Sequence, residues 1–278
     1  MRWYADNSEL NGIRGSTVPD ILLFGGVAIA NGQELALREA IESVKAKYAF
    51  TRAPVKWNFR DLKSSYLAHK RNAEYETLLR SSKEWRMEIA QAVQEFDFKI
   101  IIAIVESHSI ARKTILGYKP DLARYAFNNG LMRFALHVAE QRPHSAQIIL
   151  DWPDKGDSKP FDSEYSSAYN EGRTSERNVA YNSGRLSKLN FDDSAAYVNM
   201  LHNTLLQFAD LCLGATRELV ECALGKKSSG FGVDFCKTLA TKYRGHPHNI
   251  FGRGISVASR QATTRSAIRD YIHKELSF

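Results

Sequence analysis

Cysteine is scarce: Cys212, Cys222 and Cys236 are the only three in 278 residues, and no CxxC pair occurs. An odd, sparse set excludes a disulfide framework and points to a reducing compartment, the cytoplasm. Long apolar runs are also missing. None approaches the roughly 20 residues that span a bilayer, so no membrane partner is expected. The opening Met1-Arg2-Trp3-Tyr4-Ala5-Asp6 lacks the apolar core of a signal peptide. There is no Walker A run, no GxGxxG before a helix and no GxSxG elbow. P-loop, dinucleotide-binding and serine-hydrolase chemistries are therefore not indicated. Internal repeats and obvious linkers are absent too, so one core with insertions is expected.

Charge is present in ordinary amount but is unevenly placed. The net charge is +7. From Leu224 to Phe278 ten Lys/Arg face three Asp/Glu, so the surplus lies beyond residue 223. A basic C-terminal segment on a neutral body suits an anionic partner such as nucleic acid, or serves only solubility. Within it, Lys242, Arg244 and Arg253 sit among Gly, His and Phe residues, an interleaving also found in single-strand binders. His246 and His248 with Cys236 match no standard zinc spacing.

Periodicity predicts an α/β order. Trp3–Asp6 starts a strand, and a polar stretch from Asn7 to Pro19 leads to a second over 21–29. Gln33–Tyr48 has a helical stripe, and Val55–Phe59 alternates like a short strand. Residues 64–95 read as helical, and 99–106 as a strand buried on both faces. A helix over 121–140, a strand over 146–151 and a short helix over 162–170 follow, the last inside a polar excursion from 152 to 190. Asp192-Asp193-Ser194 offers an N-cap for a long helix reaching Leu224. About five strands flanked by helices are expected, with residues 1–225 as the domain, 152–190 as a peripheral insertion and 226–278 as a basic extension.

Three acids close apolar strands: Asp6, Glu106 and Asp151. Ligands of open α/β sheets bind beyond the carboxyl ends of parallel strands. Carboxylates gathered there repel one another unless they share a hard divalent cation such as Mg²⁺ or Mn²⁺. Equally, an acid is an inexpensive polar stop for a strand entering water. A fourth acid, Asp210, lies within Leu205–Leu213, an otherwise apolar stretch apart from Gln207. Asn203, Gln207, Asp210, Gly214 and Arg217 form one polar helical stripe. A carboxylate so flanked needs a partner or a metal, unless it faces solvent or pairs with Arg217. Lys56 and Trp57 could contact a phosphate and stack a base, or could be an edge lysine and a core tryptophan.

These residues resemble a bacterial RNase H-like family of unknown function, often associated with mobile elements and defence loci. Its members open with a strand ending Asp-Glu-Ser-Gly, continue with a Gly-Gly strand and end with a Gln-Leu-Ala-Asp-Leu helix. Here the counterparts are Asp6-Asn7-Ser8, Phe24-Gly25-Gly26-Val27, Ile148–Asp151 and Gln207-Phe208-Ala209-Asp210-Leu211. Three departures stand out: Asn7 replaces the family's Glu, Glu9 its Gly, and Glu106-Ser107 its Asp-Lys. The resemblance implies an RNase H-like mixed sheet in which the first strand lies beside the one ending at Glu106. Asp151 would sit one strand further out, and Asp210 would be aimed at the group from the last helix. It implies Mg²⁺ or Mn²⁺ held by Asp6, Glu106, Asp151 and Asp210, and phosphodiester hydrolysis; the residue pattern, apart from the resemblance, nominates Lys56, Lys242, Arg244 and Arg253 as contacts to a nucleic-acid partner. The rival expectation, favoured by Asn7, is a catalytically weak module of the same type that binds nucleic acid or a partner protein.

Overall fold

The computed structural model describes residues 1–10, 20–107, 119–151 and 158–277. Most of the loop expected between the first two strands, and the start of the 152–190 excursion, lie outside them. The described strands are β1 (Arg2–Leu10), β2 (Ile21–Ile29), β3 (Phe98–Glu106), β4 (Gln147–Asp151), β5 (Ala196–Val198) and β6 (Ile255–Ala258). They form one mixed sheet in the order β5-β4-β1-β2-β3-β6. β2 runs antiparallel to β1 and β3, and the other neighbouring pairs are parallel.

The helices are α1 (Glu34–Tyr48), α2 (Lys63–Ala68), α3 (Asn72–Arg80), α4 (Ser82–Ala92), α5 (Lys119–Gln141), α6 (Lys159–Glu171), α7 (Thr204–Ala223), α8 (Phe231–Thr238), the single turn α9 (Ile250–Arg253) and α10 (Ala262–Leu276). One face of the sheet is covered by α5 and α6, through Phe127, Leu131, Phe134 and Tyr165. The other carries α7, with α1, α4, α8 and α10 around it. α7 is buried along most of its length, including Leu206, Phe208, Ala209 and Leu213. It lies so close to the sheet that a Cβ on Gly26 would stand 2.8 Å from the Ala209 Cβ and 2.1 Å from the Tyr4 carbonyl oxygen. Glycine at this point of β2 is what lets the helix seat.

Five expectations are corrected. Val55–Phe59 is not a strand: the chain runs as a loop into a 3₁₀ turn over Phe59–Leu62. Asp192–Ser194 does not cap α7; β5 and a 3₁₀ turn (Met200–His202) intervene, and Asn203 caps the helix by accepting from the Leu205 and Leu206 amides. β1 neighbours β4 and not β3, so the strand ending at Glu106 is two places away from it. The basic segment is not peripheral. It supplies α8, β6 and α10, and Phe235, Tyr243, Ile255, Ile268 and Ile272 are core residues. The excursion after residue 158 likewise contributes Tyr165, Tyr181 and Leu186 to the second core.

A buried polar network fixes the first half of α7. The Lys45 side chain is fully buried and donates to Glu42 Oε1 at 3.2 Å and Gln207 Oε1 at 3.0 Å. Gln207 also accepts from the Val55 amide at 3.3 Å and donates to the Met200 and Leu201 carbonyls. Glu42 in turn accepts from Thr204 and from the Arg52 amide. Burial lowers the Lys45 ammonium to about 8.

Candidate active site

Alternation along β1 decides what faces α7. Tyr4 and Leu10 lie in the α7-side core, Trp3 and Ala5 in the other. Asp6 and Ser8 therefore point toward α7, and Asn7 and Glu9 away from it. On β4, Ile149 belongs to the α7-side core, so Asp151 shares that face. Ala5 is paired with Leu150, which brings Asp6 beside Asp151; Asp151 closes β4, but Asp6 does not close its strand as expected, because β1 runs on to Leu10. α7 runs above them and delivers Asp210. A cleft of about 370 Å³ opens here, lined among others by Asp6, Asp151, Asp210, Lys56, Arg217 and Asn58.

Each α7-side acid is held. Asp210 Oδ2 accepts from the Trp57 amide at 2.5 Å, and Asp151 Oδ1 from the Met200 amide at 2.8 Å. Burial and then the negative charge of Asp210 push the Asp6 carboxyl up to about 8, with Asp151 adding to the rise; the Asn7 amide and Lys56 oppose it. Burial also raises the Asp210 carboxyl, against the Trp57 amide and the charges of Lys56, Arg217 and Arg86. Burial thus disfavours the charged form of both carboxyls.

The loop carrying Lys56 and Trp57 is clamped rather than paired into a sheet. Arg86, itself buried, donates to the Trp57 carbonyl and, at 3.2 Å, to the Lys56 carbonyl. Burial lowers its guanidinium to about 10. The Trp57 ring stacks on Phe231 at 6.0 Å and meets Phe235 edge-on at 5.9 Å. It also rests on Gly214, where a Cβ would stand 2.1 Å from Trp57 Cγ. Trp57 is therefore a packing residue. Gly214→Ala is expected to displace the ring and with it the amide that Asp210 accepts. Overpacking of this kind costs about 1–3 kcal/mol, more than the roughly 1 kcal/mol of helix propensity gained. A lower melting temperature with altered tryptophan fluorescence is the expected result; a variant as stable as wild type would show that the contact is slack.

Not all the residues nominated by the sequence meet here. Glu106 lies two strands from β1 and about four residues beyond the level of Asp6, roughly 16 Å away by strand spacing and rise. Its carboxylate accepts from Ser259, and from Thr264 at 3.4 Å. It anchors the β6–α10 corner. Lys242 donates to the Phe96 carbonyl at 2.7 Å. Arg244 is buried, bound to Glu140 at 2.9 Å and to the Arg133 carbonyl at 3.2 Å, and Arg253 lies 3.7 Å from the same Glu140. None of these three lines the cleft, whereas Lys56 does. Arg217 and Arg86 are site residues that the sequence does not nominate. Arg217, which donates to Ser8 Oγ at 3.3 Å, is at least a member of the polar stripe, whereas nothing in the sequence marks Arg86.

Among the described residues no group of three or more His, Cys, Asp or Glu is arranged to hold a metal ion. The donor chemistry nevertheless fits a hydrated divalent cation. Mg²⁺ commonly takes one or two carboxylates, keeps several waters and completes its shell with substrate phosphate, without an all-protein cage. Asp6 and Asp210, both raised by burial and with like charges adjoining, are the pair such an ion would relieve. Substitution separates these effects. A carboxyl with a folded-state value near 8 keeps a proton that the unfolded chain loses near 4, so its contribution to stability declines as pH rises from about 4 to about 8. Asp6→Asn removes that decline. Its melting temperature should match wild type near pH 4 and rise progressively above it toward pH 8. A variant equally or less stable at pH 8 would contradict the crowding of charge at Asp6.

No protein-family model, curated protein or solved structure matches the chain. Among the described residues, no helix is long and apolar enough to cross a membrane.

Proposed function

We propose that this protein is a divalent-metal-dependent phosphodiester hydrolase of RNase H-like type acting on nucleic acid. The observation that carries the reading is the meeting of Asp6, Asp151 and Asp210 in one cleft, with Asp6 and Asp210 raised above the usual carboxylate range. A mixed sheet flanked by helices, with Asp6 midway along β1 beside Asp151 at the end of the adjacent parallel strand β4, supports the RNase H-like part of it. Asp6 and Asp210 would hold Mg²⁺ or Mn²⁺ as a pair, with water and substrate phosphate completing its shell. Such an ion would supply charge stabilisation for hydrolysis at phosphorus.

The chain's own residues prepare the site. The Trp57 amide and Arg86 fix the loop so that Lys56 faces the acids, where its ammonium suits a phosphate oxygen. Arg217, on the same helix face as Asp210, offers a second cation. The withdrawal of Glu106 and the presence of Asn7 favour a second reading, a weakly active module that binds nucleic acid or a partner protein. The experiment is hydrolysis of labelled DNA and RNA, single- and double-stranded, by the purified protein with Mg²⁺ or Mn²⁺. Metal-dependent cleavage of any of them supports the hydrolase reading. Intact substrates under every condition favour the binding module.

A further inference from the structure

β1 reaches Leu10, but its pairing with β4 stops at Ala5. Among the described residues the cleft lies beside the length of β1 past Ala5 that β4 does not pair, and it is lined from both faces of the sheet. On the α7 face stand Asp6, Asp210, Lys56 and Arg217. On the other face it is lined by Phe161 of α6 and Tyr197 of β5, both partly buried against the second core. Phe161 is braced by Phe24 at 6.1 Å and Phe127 at 5.2 Å, and the Tyr197 hydroxyl donates to Asp162 at 2.8 Å, so both rings are held in place.

One cleft thus offers a polar, phosphate-compatible wall and an aromatic wall. Its volume, about 370 Å³, is at the small end of ligand clefts, which run from about 300 to 1,000 Å³. That suits one nucleotide unit and not a double helix. A base inside a duplex is stacked on both faces and cannot lie against a protein ring until it is unpaired.

We infer that the cleft receives a single unstacked nucleotide of a single-stranded nucleic acid, with its base against Phe161 and Tyr197 and its phosphate toward Lys56 and Arg217. This rests on the proposed function for the role of the acids but concerns binding, which can be read separately. Trp57, the aromatic residue the sequence suggests for stacking, also borders the cleft, but it stands on the wall of the acids with its ring packed against Gly214 and Phe231, so the base is assigned to the opposite wall.

The test is fluorescence anisotropy of labelled tetranucleotides, oligo(dT) and oligo(U), against a hairpin duplex and a tetramer lacking its bases. It is run without divalent metal in an Asp210→Asn background, so that cleavage cannot interfere. The single strands should bind at least ten-fold more tightly than the duplex, and the abasic strand about as weakly as the duplex. Phe161→Ala and Tyr197→Ala should each weaken single-strand binding roughly ten-fold, within the range that base–aromatic stacking gives. Tyr197→Phe, which keeps the ring, should bind like the parent. An abasic strand bound as tightly as oligo(dT) or oligo(U), or a duplex bound as tightly as either, would overturn the inference. Metal-dependent cleavage by the wild-type protein alongside that result would leave the hydrolase reading intact. Base-dependent binding without cleavage of any substrate would leave the inference standing and remove the hydrolase reading. Preference between oligo(dT) and oligo(U) separates DNA from RNA as the natural source.

Discussion

Asp210→Asn should reduce Mg²⁺-dependent cleavage on the order of 100-fold or more while leaving the fold unchanged. Asparagine keeps the shape of the side chain, and its Oδ1 can still accept the Trp57 amide that Asp210 Oδ2 accepts at 2.5 Å. What it removes is the negative charge. Losing residues that merely orient a metal ligand typically costs 10–100-fold, so loss of a ligand itself should cost at least as much. The thermal transition should stay where it was or move upward, because burial of an acid beside Asp6 is unfavourable in the absence of an ion. Circular dichroism and a cleavage time course on the same preparation separate the two effects. A folded variant that cleaves at the wild-type rate would remove Asp210 from the site.

Lys45→Ala should be the most destabilising single change outside the apolar core, by about 3–5 kcal/mol, because it leaves the Glu42 carboxylate buried without its cation. The damage should spread to the site. Lys45 and the Val55 amide bind the same Gln207 oxygen, one helical turn before Asp210. Replacing both charged partners together, Glu42→Leu with Lys45→Met, should restore much of the lost stability, since apolar side chains of similar volume can substitute for a buried ion pair. Urea denaturation of the wild type and both variants checks this. A double variant no better than Lys45→Ala would mean that Thr204 and Gln207, and not the ion pair, hold the helix.

Some of this architecture is legible in the chain because the pattern and the structure obey the same period. β2 and β3 are long apolar runs and lie inside the sheet, not at its edges. The stripe Asn203, Gln207, Asp210, Gly214 and Arg217 is helical, and each member is used, in turn as the cap, the network amide, the site carboxylate, the seat for Trp57 and the cleft cation. Val55–Phe59 shows where alternation misleads. Its amides are taken by Gln207 and Asp210, and the carbonyls of Lys56 and Trp57 by Arg86. Side chains distant in sequence do there what a neighbouring strand would do.

Strand adjacency is not written in periodicity at all. That is why Glu106 and Asp151 are equally eligible neighbours of Asp6 until pairing puts β4 beside β1. β5 and β6, three and four residues long, are too short to carry an alternation signal. Charge counting fails in a similar way. The cations of the C-terminal segment are a surplus in composition, yet Lys227, Lys237, Arg244 and Lys274 are committed to ion pairs with Glu218 or Glu221, Glu275, Glu140 and Glu275.

The most direct test of the central claim is calorimetric titration of Mn²⁺ into the wild-type protein and into Asp6→Asn, in buffers of different ionisation enthalpy at pH 7 and pH 9. Metal binding requires deprotonated ligands and releases the protons they held. Because Asp6 is pushed up to about 8, the wild-type protein should bind Mn²⁺ with release of close to one proton at pH 7 and much less at pH 9. Asp6→Asn should bind far more weakly and release fewer protons than the wild type at pH 7. Undetectable Mn²⁺ binding by the wild-type protein, or binding of equal strength in Asp6→Asn, would contradict the assignment of the carboxylate cleft as a metal site.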